Sequence, residues 1–205
     1  MPAGSILPVA IHNNRLYFLF GKENPMEDSS KGFSDFGGGC EAGESFFETA
    51  LREGSEELSG FLGTKEMIAK HIRKNGGKYV IRFRPNTAEE YRVHLVFMEY
   101  SPSLVEYYNN SHAFLWNRMD KRVFCRSKLF EKIKVEWFCE DELEKRMPEY
   151  RNFYREVVRL IVADMHRIRK FISTQSRKSG RRGRTHKRNG GGRLRKTRRP
   201  PMKGG

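Results

Sequence analysis

Cysteine is scarce in this chain of 205 residues: Cys40, Cys125 and Cys139 are odd in number and far apart. None forms a Cys-x-x-Cys pair, and the six histidines show no ligand-like spacing. Neither a disulfide framework nor a structural zinc site fits, and a reducing compartment does. Long apolar runs are missing as well, since no stretch reaches the roughly 18 residues of a membrane-spanning helix. The N-terminus has no basic segment leading into an apolar one, so no secretory signal is read. Acidic residues are absent from Ser176 to Gly205, which holds 13 Lys and Arg. Of the net charge of +15, the rest of the chain carries little, with 27 basic residues against 25 acidic ones. Contact with polyanions therefore belongs to the tail first. The expected location is intracellular and cytoplasmic, with nuclear entry through the basic tail as the alternative.

What the chain does have is aromatic bulk, with 15 Phe, 8 Tyr and 2 Trp, enough for one core in one domain with an appendage. Ile6 to Ile11 and Leu16 to Phe20 flank Asn13-Asn14, and asparagine tolerates positive φ, so a β-hairpin is expected. A short strand at Phe33 to Phe36 leads into Gly37-Gly38-Gly39 and a helix from Ser45 to Leu58, with Gly60 and Gly63 beyond its end. Met67 to Ile72 and Lys78 to Arg84 read as strands around an Asn75-Gly76-Gly77 turn, and Tyr91 to Tyr100 alternates like a half-buried strand. Ser101 to Arg126 holds Tyr107, Tyr108, Phe114 and Trp116 and reads as an ordered insertion. A last strand is expected at Lys134 to Cys139, then a helical turn at Asp141 to Arg146 ended by Pro148. From Glu149 to Ser173 apolar residues recur at steps of three and four, which predicts an amphipathic helix packed on the domain. Beyond Thr174 the composition cannot offset ordering entropy, so a disordered tail is expected.

The chemistry concentrates between Gly38 and Gly60. Residues three and four apart share a helix face, so Glu53, Glu56 and Glu57 project to one side about 5–6 Å apart. Carboxylates that close repel unless a hard cation lies between them, and oxygen ligands favour Mg²⁺ or Mn²⁺. Arg52 is spaced to steady them by charge-assisted hydrogen bonds. Glu44 stands in the preceding loop, and Gly37, Gly38 and Gly39 let the backbone come close.

Gly38, Glu44, Arg52, Glu53, Glu56 and Glu57 fall on Gly-x5-Glu-x7-Arg-Glu-x-x-Glu-Glu, a spacing that resembles the Nudix hydrolase signature. Two positions depart: Gly54 stands where an aliphatic residue is usual, and Ser59-Gly60 where Gly-aliphatic is. The resemblance implies an α/β/α sandwich with a mixed β-sheet over residues 1–147, followed by the helix at 148–173 and the tail at 174–205. It further implies a pyrophosphohydrolase acting on a nucleoside diphosphate linked to another group. Glu53, Glu56 and Glu57 would hold Mg²⁺ or Mn²⁺, Gly37, Gly38, Gly39 and Glu44 would support them, and Arg52 would assist. The base that deprotonates water would be Glu53 or Glu131, with Glu136 and Glu99 as rivals. The tail residues Arg181, Arg182, Arg184, Lys187, Arg188, Arg193, Arg195, Lys196, Arg198 and Arg199 are expected to bind RNA or other nucleic acid through counterion release. Together, tail and site suggest the 5′ cap of mRNA as substrate, as in decapping members of that family, including those of large DNA viruses. Small nucleotides, dinucleoside polyphosphates and diphosphoinositol phosphates are the alternatives, as is a non-catalytic RNA-binding module of the same fold.

Overall fold

In the computed structural model the described residues are 1–24, 31–85, 89–126 and 131–188, without the side chains of 124, 125 and 180–188. Asn13 and Asn14 both take left-handed backbone, φ 48° and 60°, as a two-residue hairpin turn demands. β1 (Ala3–His12) thus folds back on β2 (Arg15–Glu23), with His12 opposite Arg15. The two strands then part. The start of β1 pairs instead with β4 (Phe36–Gly39), and the end of β2 with β3 (Phe33–Ser34), so the chain from 33 to 39 bridges the fork.

β1 also pairs in parallel with β6 (Tyr91–Phe97), which is antiparallel to β5 (Lys78–Phe83). On the far side of β2 lies β7 (Lys132–Cys139), antiparallel to it and starting at Glu23. These strands make one mixed sheet. Alternation sends Ile6, Ala10, Leu19 and Phe36 to one face, where they pack beneath α1 (Phe46–Glu57), α2 (Lys65–Asn75) and α3 (Pro102–Arg118). Leu7, Val9, Phe18, Phe20 and Leu95 fill the other face, under Tyr154, Val157, Val158 and Ile161 of α5 (Tyr154–Ala163) and Ile168 and Ile172 of α6 (Met165–Arg188). Each such side chain contributes about 1.5–3 kcal/mol by leaving water. Helices thus cover both faces of the mixed sheet, the sandwich expected from the sequence.

Two elements differ from expectation, at Met67 to Ile72 and at the C-terminal helix, and the ordered insertion takes helical form. Met67 to Ile72 is not a strand but the centre of α2: Thr64 caps it by accepting from the Met67 amide, and Ile68, Ala69 and Ile72 form its buried stripe. The Asn75-Gly76-Gly77 signal belongs to its C-terminus, where Gly76 has φ 97°. The insertion at Ser101 to Arg126 is helical, α3 followed by α4 (Lys121–Arg126). It is stitched to β7 by Asn109, whose amide exchanges both hydrogen bonds with Val135, and by Trp137 Nε1 donating to the Ser101 carbonyl. The C-terminal helix breaks at Asp164, and α6 continues through Arg188 rather than stopping near Ser173. Among the described residues no helix is long and apolar enough to cross a membrane.

Candidate active site

α1 begins with a reciprocal cap, in which Ser45 Oγ accepts from the Glu48 amide and Glu48 Oε2 accepts from the Ser45 amide. That cap sets the phase of the helix. Leu51 and Gly54 turn inward, and Glu53 lies against the fork. At Gly54, where the aliphatic pattern is broken, α1 lies close on β1: a Cβ there would stand 3.2 Å from Ile6 Cγ2. Gly38 serves the opposite contact, since a Cβ on it would lie 2.4 Å from Glu53 Oε1.

Arg52 organises the acids around it. Its Nε and Nη2 donate to the two oxygens of Glu44 at 2.9 and 3.0 Å, a bidentate pair. Nη1 reaches Glu53 Oε1 at 2.7 Å and Glu56 Oε2 at 3.3 Å, and Nη2 also donates to the Gly39 carbonyl. Glu44 accepts further bonds from Thr49 Oγ1 and the Glu41 amide, so it ties down the loop that precedes α1. Arg52 first, with those bonds, holds the Glu44 carboxyl down at about 2. The same acids hold the Arg52 guanidinium above its ordinary value. One guanidinium cannot neutralise Glu44, Glu53 and Glu56 together. These three acids and one guanidinium carry two net negative charges, with Glu53 beside the glycine strand and Glu56 at the open edge, its side chain 59% exposed.

Glu57 does not join them. It is buried, its Oε2 accepts from the Gly37 amide at 2.8 Å, and its Oε1 lies 3.0 Å from Lys132 Nζ. Lys132, at the start of β7 and 1% exposed, also binds Glu23 at the end of β2. Glu23 in turn pairs with Arg151 at 2.9 Å and accepts from Ser34 Oγ. Burial alone would push the Lys132 ammonium down, but Glu57 and Glu23 together hold it above its usual range. Asp35, at the crossing between β3 and β4, is the next buried acid, met by the hydroxyls of Ser5 and Tyr91. Burial lifts its carboxyl to about 6 against those hydroxyls. The Tyr108 hydroxyl, from α3, lies 3.0 Å from the carbonyls of both Glu57 and Lys132 and braces the pair.

The structure therefore brings together Gly37, Gly38, Gly39, Glu44, Arg52, Glu53 and Glu56, and turns Glu57 inward. Among the described residues no group of three or more His, Cys, Asp or Glu is placed to hold a metal ion. The all-oxygen pair Glu53 and Glu56, with two surplus charges, nevertheless suits one hard divalent cation. Glu131 adjoins Lys132 in the chain, and its carbonyl accepts from the Asn24 amide. Glu136 is engaged by Lys134 and Arg146, and Glu99 is exposed beside Ser179 of α6. Arg181, Arg182, Arg184, Lys187 and Arg188 lie on α6 with undescribed side chains, while Arg193, Arg195, Lys196, Arg198 and Arg199 lie outside the described residues. Sequence reasoning missed Lys132, Glu23 and Asp35. Only the Glu23–Lys132 register of β2 with β7 reveals that pair.

Neither a family model nor a curated protein matches the sequence. Among solved structures, an Ap4A hydrolase of C. elegans in a binary complex is 14% identical, with 80% of this chain and 97% of that one covered at a TM-score of 0.46. A mutT/nudix family protein from Listeria innocua is 12% identical, over 81% and 94% of the two chains, with a TM-score of 0.46. The NUDIX domain of Shewanella oneidensis NrtR, complexed with ADP ribose, is 11% identical over 80% and 88%, with a TM-score of 0.43. This chain is similar to them in outline, and the functional reading rests on its own side chains.

Proposed function

We propose that this chain is a Nudix-type pyrophosphohydrolase acting on a nucleoside diphosphate linked to a second group. The observation that carries the reading is the Arg52 node, which anchors Glu44 and holds Glu53 and Glu56 at the mouth of the fork with two charges unneutralised. When bound there, Mg²⁺ or Mn²⁺ supplies charge neutralisation at the phosphate oxygens and a lowered pKa for water. Glu53 and Glu56 provide the carboxylate oxygens for that cation, and Arg52 fixes both. Glu57 ties the Gly37 amide to the end of α1, which keeps the glycine strand against Glu53. Glu53 is the residue we assign to proton removal from water, with Glu131 as the loop alternative beside Lys132.

For substrate and partner, the tail with its 13 basic residues and no acid favours a polyanion, and a capped RNA unites tail and site in one ligand. The test is hydrolysis of capped RNA, free cap dinucleotide, nucleoside triphosphates, dinucleoside polyphosphates and diphosphoinositol phosphates with Mg²⁺ or Mn²⁺, products identified by mass. Glu56→Gln should abolish the turnover seen. An inert wild-type protein across the whole panel, or undiminished turnover in Glu56→Gln, would sink the reading.

A further inference from the structure

The fork holds a lysine more deeply buried than any of the acids it serves. Lys132 Nζ is bracketed by Glu57 Oε1, Glu23 Oε1 and, at 3.4 Å, Ser34 Oγ. An ammonium held by two carboxylates and a hydroxyl occupies the kind of oxygen cage that a hard cation would otherwise take. Lys132 lies on both Glu57 and Glu23, and Arg151 on Glu23, so fixed cations already engage the carboxylate oxygens that a further cation would need. Asp35, nearby, is met by hydroxyls instead. The outer set behaves differently, because Arg52 leaves Glu53 and Glu56 in surplus. Removing the Lys132 charge would leave two buried carboxylates with Arg151 alone, a costly arrangement.

We infer that Lys132 stands in for a second divalent cation at Glu57 and Glu23, so that Glu53 and Glu56 bind the metal while Glu57 is a positioning residue that holds the Gly37 strand. This rests on the hydrolase reading for its purpose, not for its geometry. Two neighbours on one helix, Glu56 and Glu57, thus have separate duties: the first meets the cation, the second a fixed ammonium.

The experiment is Mn²⁺ binding to the full chain, followed by calorimetry and by the electron paramagnetic signal of free Mn²⁺. Glu56→Gln should weaken binding by about tenfold or more, the scale of losing a metal's supporting groups, whereas Glu57→Gln should change it by less than about threefold. Lys132→Met should bind one more equivalent of Mn²⁺ than the wild type, and its melting temperature should rise on adding Mn²⁺ more than the wild type's does. Equal losses in Glu57→Gln and Glu56→Gln would overturn the inference, as would a folded Lys132→Met without the extra equivalent. Should Lys132→Met not fold under any condition, the two glutamine variants decide alone. A wild type that binds Mn²⁺ but cleaves no pyrophosphate removes the hydrolase reading and leaves the Lys132 assignment standing. Cleavage with equal glutamine losses does the reverse, and a wild type that binds no Mn²⁺ removes both.

Discussion

Replacing Asp35 by asparagine probes how dry the fork is beneath the site. Asp35 is 1% exposed, and burial raises its carboxyl from 3.8 to about 6. A raised acid favours its protonated form in the folded state, so the fold binds more protons there than the unfolded chain does. Stability from this group is full below about 4 and falls as pH rises through 6. Each pKa unit is worth about 1.4 kcal/mol, so ionisation costs about 3 kcal/mol between those limits. The Ser5 and Tyr91 hydroxyls meet different oxygens of Asp35, so the amide introduced by Asp35→Asn would accept from one and donate its NH2 to the other, without titrating. Urea unfolding of the wild type and Asp35→Asn at pH 4.5, 6 and 7.5 measures the difference, in which the other carboxylates cancel. The variant should gain on the wild type by about 2 kcal/mol across that range, since pH 4.5 already lies above the ordinary 3.8. A gap that stays constant with pH would refute the buried, ionisation-averse Asp35.

Arg52→Ala should lower turnover by about a hundredfold by letting Glu53 and Glu56 drift. The same variant should raise the Glu44 carboxyl from about 2 toward its ordinary 4.5, read by NMR titration. In the wild type that depressed value means the Glu44–Arg52 pair stabilises the loop above the ordinary carboxylate range and lets go as pH falls towards 2. Gly54→Leu, which restores an aliphatic residue to the signature, should destabilise by about 1–3 kcal/mol despite its better helix propensity. The cause is the 3.2 Å that separates a Cβ there from Ile6, and a stabilised Gly54→Leu in urea unfolding would contradict that packing.

Much of this architecture is legible in the sequence because several signals agree at once. Asn13-Asn14 specifies the hairpin, and Ser45 with Glu48 specifies the start of α1, so residue spacing alone phases its carboxylates. Met67 to Ile72 misleads because six residues of mixed polarity suit either period, and the glycines after Asn75 serve a helix end as well as a hairpin. The duty of Glu57 is illegible for another reason. Helical spacing places Glu53, Glu56 and Glu57 on one side, but only the β2–β7 register brings Lys132 to meet one of them.

Consecutive helical residues point about 100° apart, so a doublet such as Glu56-Glu57 at the rim of a domain sends one carboxylate outward and the other in. The inward acid needs a cation that does not leave. At this fork β1 and β2 separate, and a purely apolar filling would leave the freed Gly37 amide without a partner. Glu57 supplies that partner and Lys132 neutralises it, with Glu23 and Arg151 completing the balance. Fixed charge below and surplus charge above follow from the same splay. On the function proposed above, a metal bound at Glu53 and Glu56 would exchange without the glycine strand losing its anchor.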